Sequence, residues 1–188
     1  MTAPKVYPYK KLVLPAEVAK VGNGNLTPQM LKKVKTGGRM WKPAANAFNK
    51  LYADALCAGF ILRNVGDYRP LTKQTAMFKD RYSLKNLGRN PKVTRKYQGK
   101  VWYLKPGKSP SGVPGTSNHG FGLAIDLAYD RNGALVPMGG KCFDWLCKNA
   151  PKYGFYLQGS NPKSPEFEAW HWQYVRGDKP PVLPVKDS

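Results

Sequence analysis

The chain has only two histidines, His119 in PGTSNHGFGLAIDL and His171 in EFEAWHWQY, and each stands near an acid. His119 lies seven residues before Asp126, with glycines at 115, 120 and 122 around it. Two imidazoles and one carboxylate suit a zinc ion held by three protein groups with the fourth vertex open to water. His119, Asp126 and His171 could form that set. Zinc so held lowers the pKa of water to near 7 and polarises a carbonyl under attack. The reaction also needs a proton acceptor that is not a ligand, and Glu168, three residues before His171, is the candidate general base. An extended strand turns residues three apart to opposite faces. Glu168 therefore reaches the site only if the chain bends between Phe167 and Trp170, a bend that the two prolines of SNPKSPEF favour. The plainer reading keeps both histidines as hydrogen-bonded residues without an ion, because imidazole serves many roles. Spacing alone leaves both open.

Periodicity indicates what must carry these side chains. Ala44, Phe48, Leu51, Tyr52, Ala55 and Leu56 recur at helical spacing after Pro43, with Gly59 as the stop. Phe60 to Val65 reads as a short strand. A second helix follows Pro70, with Thr72 as the expected cap and Gln74, Phe78 and Tyr82 along one face. Residues 84–116 are rich in Gly, Pro, Lys and Asn around a small strand, KVWYL, and a connection of that length is usually functional. Leu123 to Tyr129 alternates as a strand does, which puts Asp126 opposite Leu123, Ile125 and Leu127. A third helix runs from about Met138 to Asn149. AWHWQYV is the last strand, with His171 and Gln173 on one face and Trp170, Trp172 and Tyr174 on the other. Helices first, then mixed strands and helix, give an α+β fold around a small antiparallel sheet.

The 188 residues carry 31 Lys and Arg against 11 Asp and Glu, a formal charge of +20. From Arg81 to Ile125 there is no acid, while Arg81, Lys85, Arg89, Lys92, Arg95, Lys96, Lys100, Lys105 and Lys108 are basic. Such a field concerns association rather than fold, and it suits a polyanion, either nucleic acid or an anionic cell envelope. A merely solvated cationic surface is the bland alternative. No apolar run approaches the roughly 20 residues of a membrane span, and the N-terminus lacks a secretory core. The expectation is synthesis in the cytoplasm without membrane insertion. Cys57, Cys142 and Cys147 form no CxxC and read as structural cysteines that behave as small hydrophobes, neither disulfide nor zinc ligands.

The motifs Ser117, His119, Gly122, Ala124, Asp126 and then Glu168, Trp170, His171 resemble those of the VanY-like D-alanyl-D-alanine carboxypeptidases and related phage endolysin peptidases. A third element, DYRPLTKQ, matches with Tyr68, Arg69 and Gln74, and the similarity covers roughly residues 40 to 175. The resemblance implies Zn²⁺ on His119, Asp126 and His171, Glu168 as catalytic base, and Arg69 against a substrate carboxylate or the developing oxyanion. Ser117, Gln74 and Tyr68 would bind the peptide. It implies a Hedgehog/DD-peptidase-like fold. Composition reads residues 1–42 as a loop-rich lead-in and 177–188 as a Pro-rich tail, which leaves the zinc peptidase domain over 43–176. The longer phrases YLKPG…PGTSNHGFGLAID and CKNAPKYGF look most like peptidase modules of actinobacterial phage lysins.

The expected substrate is bacterial peptidoglycan, cut at D-Ala-D-Ala or at L-Ala–D-Glu, in a phage lysin or a wall-processing enzyme. Anionic wall polymers would be met by the basic surface. The enzyme would act at the wall, released with phage lysis or carried in a virion. A non-catalytic cationic module for nucleic acid or cell wall is the rival. It has no use for the metal triad or for Glu168.

Overall fold

The computed structural model describes residues 7–159 and 167–175. In chain order its elements are α1 (Ala16–Val21), β1 (Leu31–Lys33), β2 (Arg39–Trp41), α2 (Lys42–Cys57), β3 (Ile61–Gly66), α3 (Leu71–Arg81), β4 (Tyr82–Ser83), β5 (Thr94–Tyr97), β6 (Lys100–Leu104), β7 (Ala124–Arg131), β8 (Ala134–Pro137), α4 (Gly140–Asn149), β9 (Phe155–Leu157) and β10 (His171–Tyr174). Short 3₁₀ turns lie at Pro28–Met30, Asn118–Phe121 and Ala150–Tyr153. No helix among the described residues is long and apolar enough to cross a membrane. The expected tail over 177–188 and most of SNPKSPEF lie outside the described residues.

The central antiparallel sheet has the order β3-β7-β10-β9, with β8 paired to the far part of β7. Alternation along β7 and β10 sorts the side chains. Leu123, Ile125, Leu127, Trp172 and Tyr174 enter one core with Ala44, Phe48, Leu51 and Ala55 of α2. Each fully buried large apolar side chain there contributes roughly 1.5–3 kcal/mol. Asp126 and His171 are left on the opposite face. That agrees with the expected α+β class.

Four local expectations change. Thr72 is not a cap: Pro70, with φ −56°, occupies that position, no side chain caps the helix, and Thr72 lies inside it. Trp170 does not share the core face of Trp172 and Tyr174. It sits in the turn before β10 and is 43% exposed. The stretch over 84–116 is more than a connection, since β4, β6 and β5 form a three-stranded sheet. Phe78, Tyr82 and Leu104 are a second small core beneath it, with Tyr97 and Trp102 packed against them. The segment expected to be a loop-rich lead-in carries α1, β1 and β2 and sends Val18, Leu26, Val34, Met40 and Trp41 into the main core. Cys57, Cys142 and Cys147 are free thiols, the second buried.

Candidate active site

Strand register brings the first two acid–base groups together. In the antiparallel pair of β7 and β10, His171 stands directly opposite Asp126, so both side chains rise from one face. His171 Nδ1 lies 2.9 Å from Asp126 Oδ1. The 3₁₀ turn before β7 supplies His119, whose Nε2 is 3.2 Å from Asp126 Oδ2. One ligand atom from each of the three residues lies within 4.8 Å of the others.

His119 is aimed from behind. Its Nδ1 is 3.0 Å from the carbonyl oxygen of Asp67, a contact that orients the ring with Nε2 toward Asp126. The His119 carbonyl in turn accepts from Arg69 N at 3.0 Å, so the turn and the Tyr68–Arg69 segment hold each other. Gly122 closes the turn in a left-handed conformation, φ +65°. A side chain there would meet Trp41 N at 2.8 Å. Only glycine satisfies both demands.

Asp126 is buried between its partners. Burial opposes ionisation of the carboxyl, but the hydrogen bonds from His119 and His171 outweigh it and hold the group well below the usual carboxylate range. His171 Nε2 is buried without a hydrogen-bond partner, a capacity the described residues leave unfilled. Two imidazoles and a carboxylate, with donor separations of 2.9 and 3.2 Å, suit zinc: bonds of about 2.0 Å set at tetrahedral angles put ligand atoms about 3.3 Å apart. The residues fit the ion.

The bend required for Glu168 is present. His171 N donates to the Glu168 carbonyl oxygen at 3.0 Å, closing a turn through Ala169 and Trp170. Glu168 then lines the same cavity as the two histidines, Asp126, Arg69 and Ser117, a space of about 530 Å³. Arg69 is half-buried. Burial lowers its pKa, Asp126 raises it, Arg81 lowers it again and Asp67 raises it.

Two expected peptide-binding residues lie elsewhere. Gln74 is 3% exposed. Its amide donates to Asn23 Oδ1 at 2.8 Å and to the Arg69 carbonyl at 3.0 Å, and it accepts from Gly115 N at 3.1 Å. Both amide hydrogens are committed and the side chain is buried away from the cavity, so Gln74 positions Arg69 and the 115–117 loop. Tyr68 turns its hydroxyl to the Leu26 carbonyl at 3.4 Å, and burial pushes its pKa up. Asn23 was missed by sequence reading: its amide donates to the Ser117 carbonyl at 2.7 Å while it receives Gln74. It lies in the lead-in, far from every motif, and no local signal marks it.

Gly66 was missed too. Pairing of β3 with β7 shifts by one residue between Asn64 and Gly66, which puts Gly66 opposite Asp126. A methyl added to Gly66 would overlap Asp126 Oδ2 and lie 3.1 Å from its Cβ. Gly66→Ala should therefore fold and still lose metal affinity by about 10–100-fold, the range for disturbing a group that orients a ligand. Competition with a chromophoric chelator measures this, and unchanged affinity would show that Asp126 has room to yield.

A sheet face that presents two histidines and an aspartate to a cleft also holding a carboxylate and an arginine has the groups that a metallopeptidase requires. The comparisons narrow the class. The chain belongs to the VanY D-alanyl-D-alanine carboxypeptidase family, whose model matches residues 38–177. It is 33% identical over 141 residues to the protein YodJ of Bacillus subtilis (strain 168), an alignment covering 71% of this chain and 45% of YodJ. The chain thus spans less than half the length of that curated relative. Among solved structures, the LD-carboxypeptidase LdcB superposes with a TM-score of 0.58 at 23% identity, covering 91% of this chain and 84% of that one. A mutant of the vancomycin resistance D,D-pentapeptidase VanY, solved in complex with Zn(II), gives a TM-score of 0.51 at 21% identity, with 82% and 85% covered. At those identities the likeness is one of fold.

Proposed function

We propose that this chain is a zinc-dependent peptidase that hydrolyses the terminal amide of a peptidoglycan stem peptide ending in D-Ala-D-Ala. The observation that carries the reading is the convergence of His119, Asp126 and His171 beside Glu168 and Arg69 in one cleft. His119, Asp126 and His171 would hold the ion, which when bound supplies Lewis acidity to the scissile carbonyl and acidity to water. Glu168 takes the proton of the attacking water and hands it to the leaving amine. Arg69 meets the peptide's terminal carboxylate or the oxyanion with charge-assisted hydrogen bonds. Ser117, which lines the cavity, would hydrogen-bond the peptide backbone.

The test is digestion of purified wall and of a synthetic pentapeptide, with and without chelator, followed by mass spectrometry. Loss of one alanine, abolished by chelation and restored by zinc, is the expected result. Fragments separated after the first alanine would instead assign endopeptidase action, the finer alternative raised by the resemblance to lysins. Absence of any zinc-restored cleavage would remove the peptidase reading in favour of a binding module. A lytic role in phage release is supported by the longer sequence phrases and is tested by lysis of intact cells with added protein.

The formal charge of +20 supports anionic wall polymers as a second partner. The strands β5 and β6 carry Arg95, Lys96 and Lys100 on a segment without acids. Exposed charges are screened beyond about 8 Å at physiological ionic strength. Retention on isolated wall should therefore fall steeply between low and high salt, while cleavage of a soluble pentapeptide changes little. Salt-independent retention would exclude electrostatic docking.

A further inference from the structure

The cleft contains a second guanidinium that the reaction does not use. Arg81 is the last residue of α3, while Arg69 stands two residues before the helix begins, and both line the same cavity. Met77, one turn before Arg81, lines it as well. The cleft therefore follows the helix for its length. Ten rises of about 1.5 Å give roughly 15 Å of helix, the span of about four to five residues of extended peptide.

The surroundings of Arg81 are incomplete in one specific way. Its Nη1 donates to the carbonyls of Ser109 and Pro110, at 3.4 and 3.2 Å, which fixes the head group against the cavity wall. Among the described residues no carboxylate pairs with it. The adjacent acid, Asp80, is taken by Lys108 at 2.8 Å. Two arginines facing one space repel each other, and Arg81 does lower the pKa of Arg69, behind the larger effect of burial. Of the two acids on the cavity wall, Asp126 is committed to the histidines and Glu168 stands beside His171. The Arg81 end of the cleft is thus a positive site with no anion of its own, and the small polar Ser109, Ser111 and Thr116 line the same cavity.

We infer that Arg81 is a specificity residue that binds a second carboxylate of the peptide being cut, on a residue upstream of the scissile bond. The inference rests on the peptidase reading. Wall stem peptides carry free carboxylates upstream of their terminal alanines in two places: the α-carboxyl of a γ-linked glutamate, and the side-chain carboxyl of a diaminopimelate where it replaces lysine. Both present the same chemistry to a guanidinium fork.

Four synthetic pentapeptides ending in D-Ala-D-Ala separate the sources: glutamate free or amidated, each with lysine or diaminopimelate following. Turnover of all four by the zinc-loaded wild type, Arg81→Met and Arg81→Lys is compared. Calorimetric binding of the corresponding tripeptides gives a readout independent of turnover. Wild type should prefer the free acid by about 10–100-fold, in kcat/KM and in Kd, as expected for a hydrogen bond to a charged group. Arg81→Met should abolish that preference, and Arg81→Lys should weaken it. Whichever exchange moves the preference names the carboxylate. Equal treatment of acid and amide by wild type would overturn the inference, as would an equal loss on both in Arg81→Met, which marks a brace for the 109–110 loop only. If no peptide is cut yet the Arg81-dependent binding preference persists, the carboxylate site stands and the peptidase reading falls.

Discussion

Glu168→Gln is expected to lower turnover of a D-Ala-D-Ala peptide by about 10²–10⁴-fold, the usual contribution of a positioned proton carrier. Metal affinity and Tm should stay at their wild-type values. The substitution keeps the side chain's size and removes only its ability to accept and return a proton. Glu168 is placed by its backbone: its carbonyl accepts from His171 N, so the turn that presents the side chain forms whatever the side chain is. It is also not one of the three converging ligands. Metal content, by atomic absorption, and kcat measured on the same sample separate the roles. A variant that loses zinc along with activity would make Glu168 a ligand, and full activity would remove it from the mechanism.

How far the sequence carried this site depended on whether geometry was local. His119 lies in a turn and Asp126 in the strand that follows it, and alternation alone put Asp126 on the face away from Ile125 and Leu127. The bend at Trp170 was foreseen as a requirement and is present as the turn closed on Glu168. What could not be read was register. Nothing in either strand says that His171 faces Asp126 across the sheet, nor that a one-residue shift in β3 brings Gly66 against the carboxylate. Gln74 shows the same limit from another side. Its place in a motif suggested contact with substrate, but burial and three internal hydrogen bonds commit it to the scaffold. Residues 84–116 were opaque because their core is shared. Phe78 and Tyr82 are contributed by and beside α3 and Leu104 by β6, so neither segment shows a complete apolar pattern by itself.

Arg69→Met should cost about 10²–10³-fold in kcat/KM, the range for removing one preorganised donor from a developing oxyanion, and yet leave Tm at or above wild type. The two effects have one cause. Arg69 is half-buried with no carboxylate paired to it among the described residues, and burial drives its pKa down, with Asp126 opposing and Arg81 assisting. A desolvated charge without a partner burdens the folded state, and it persists where a ligand supplies the missing anion. Methionine removes the charge and fills the volume. Its backbone would still be held, since Arg69 N donates to the His119 carbonyl and the Arg69 carbonyl accepts from Gln74. Arg69→Lys should recover only part of the loss, because an ammonium cannot reproduce the planar fork. Michaelis kinetics with thermal unfolding on all three proteins decide the matter. A fall in Tm that parallels the fall in activity would make Arg69 a structural residue and detach it from the substrate.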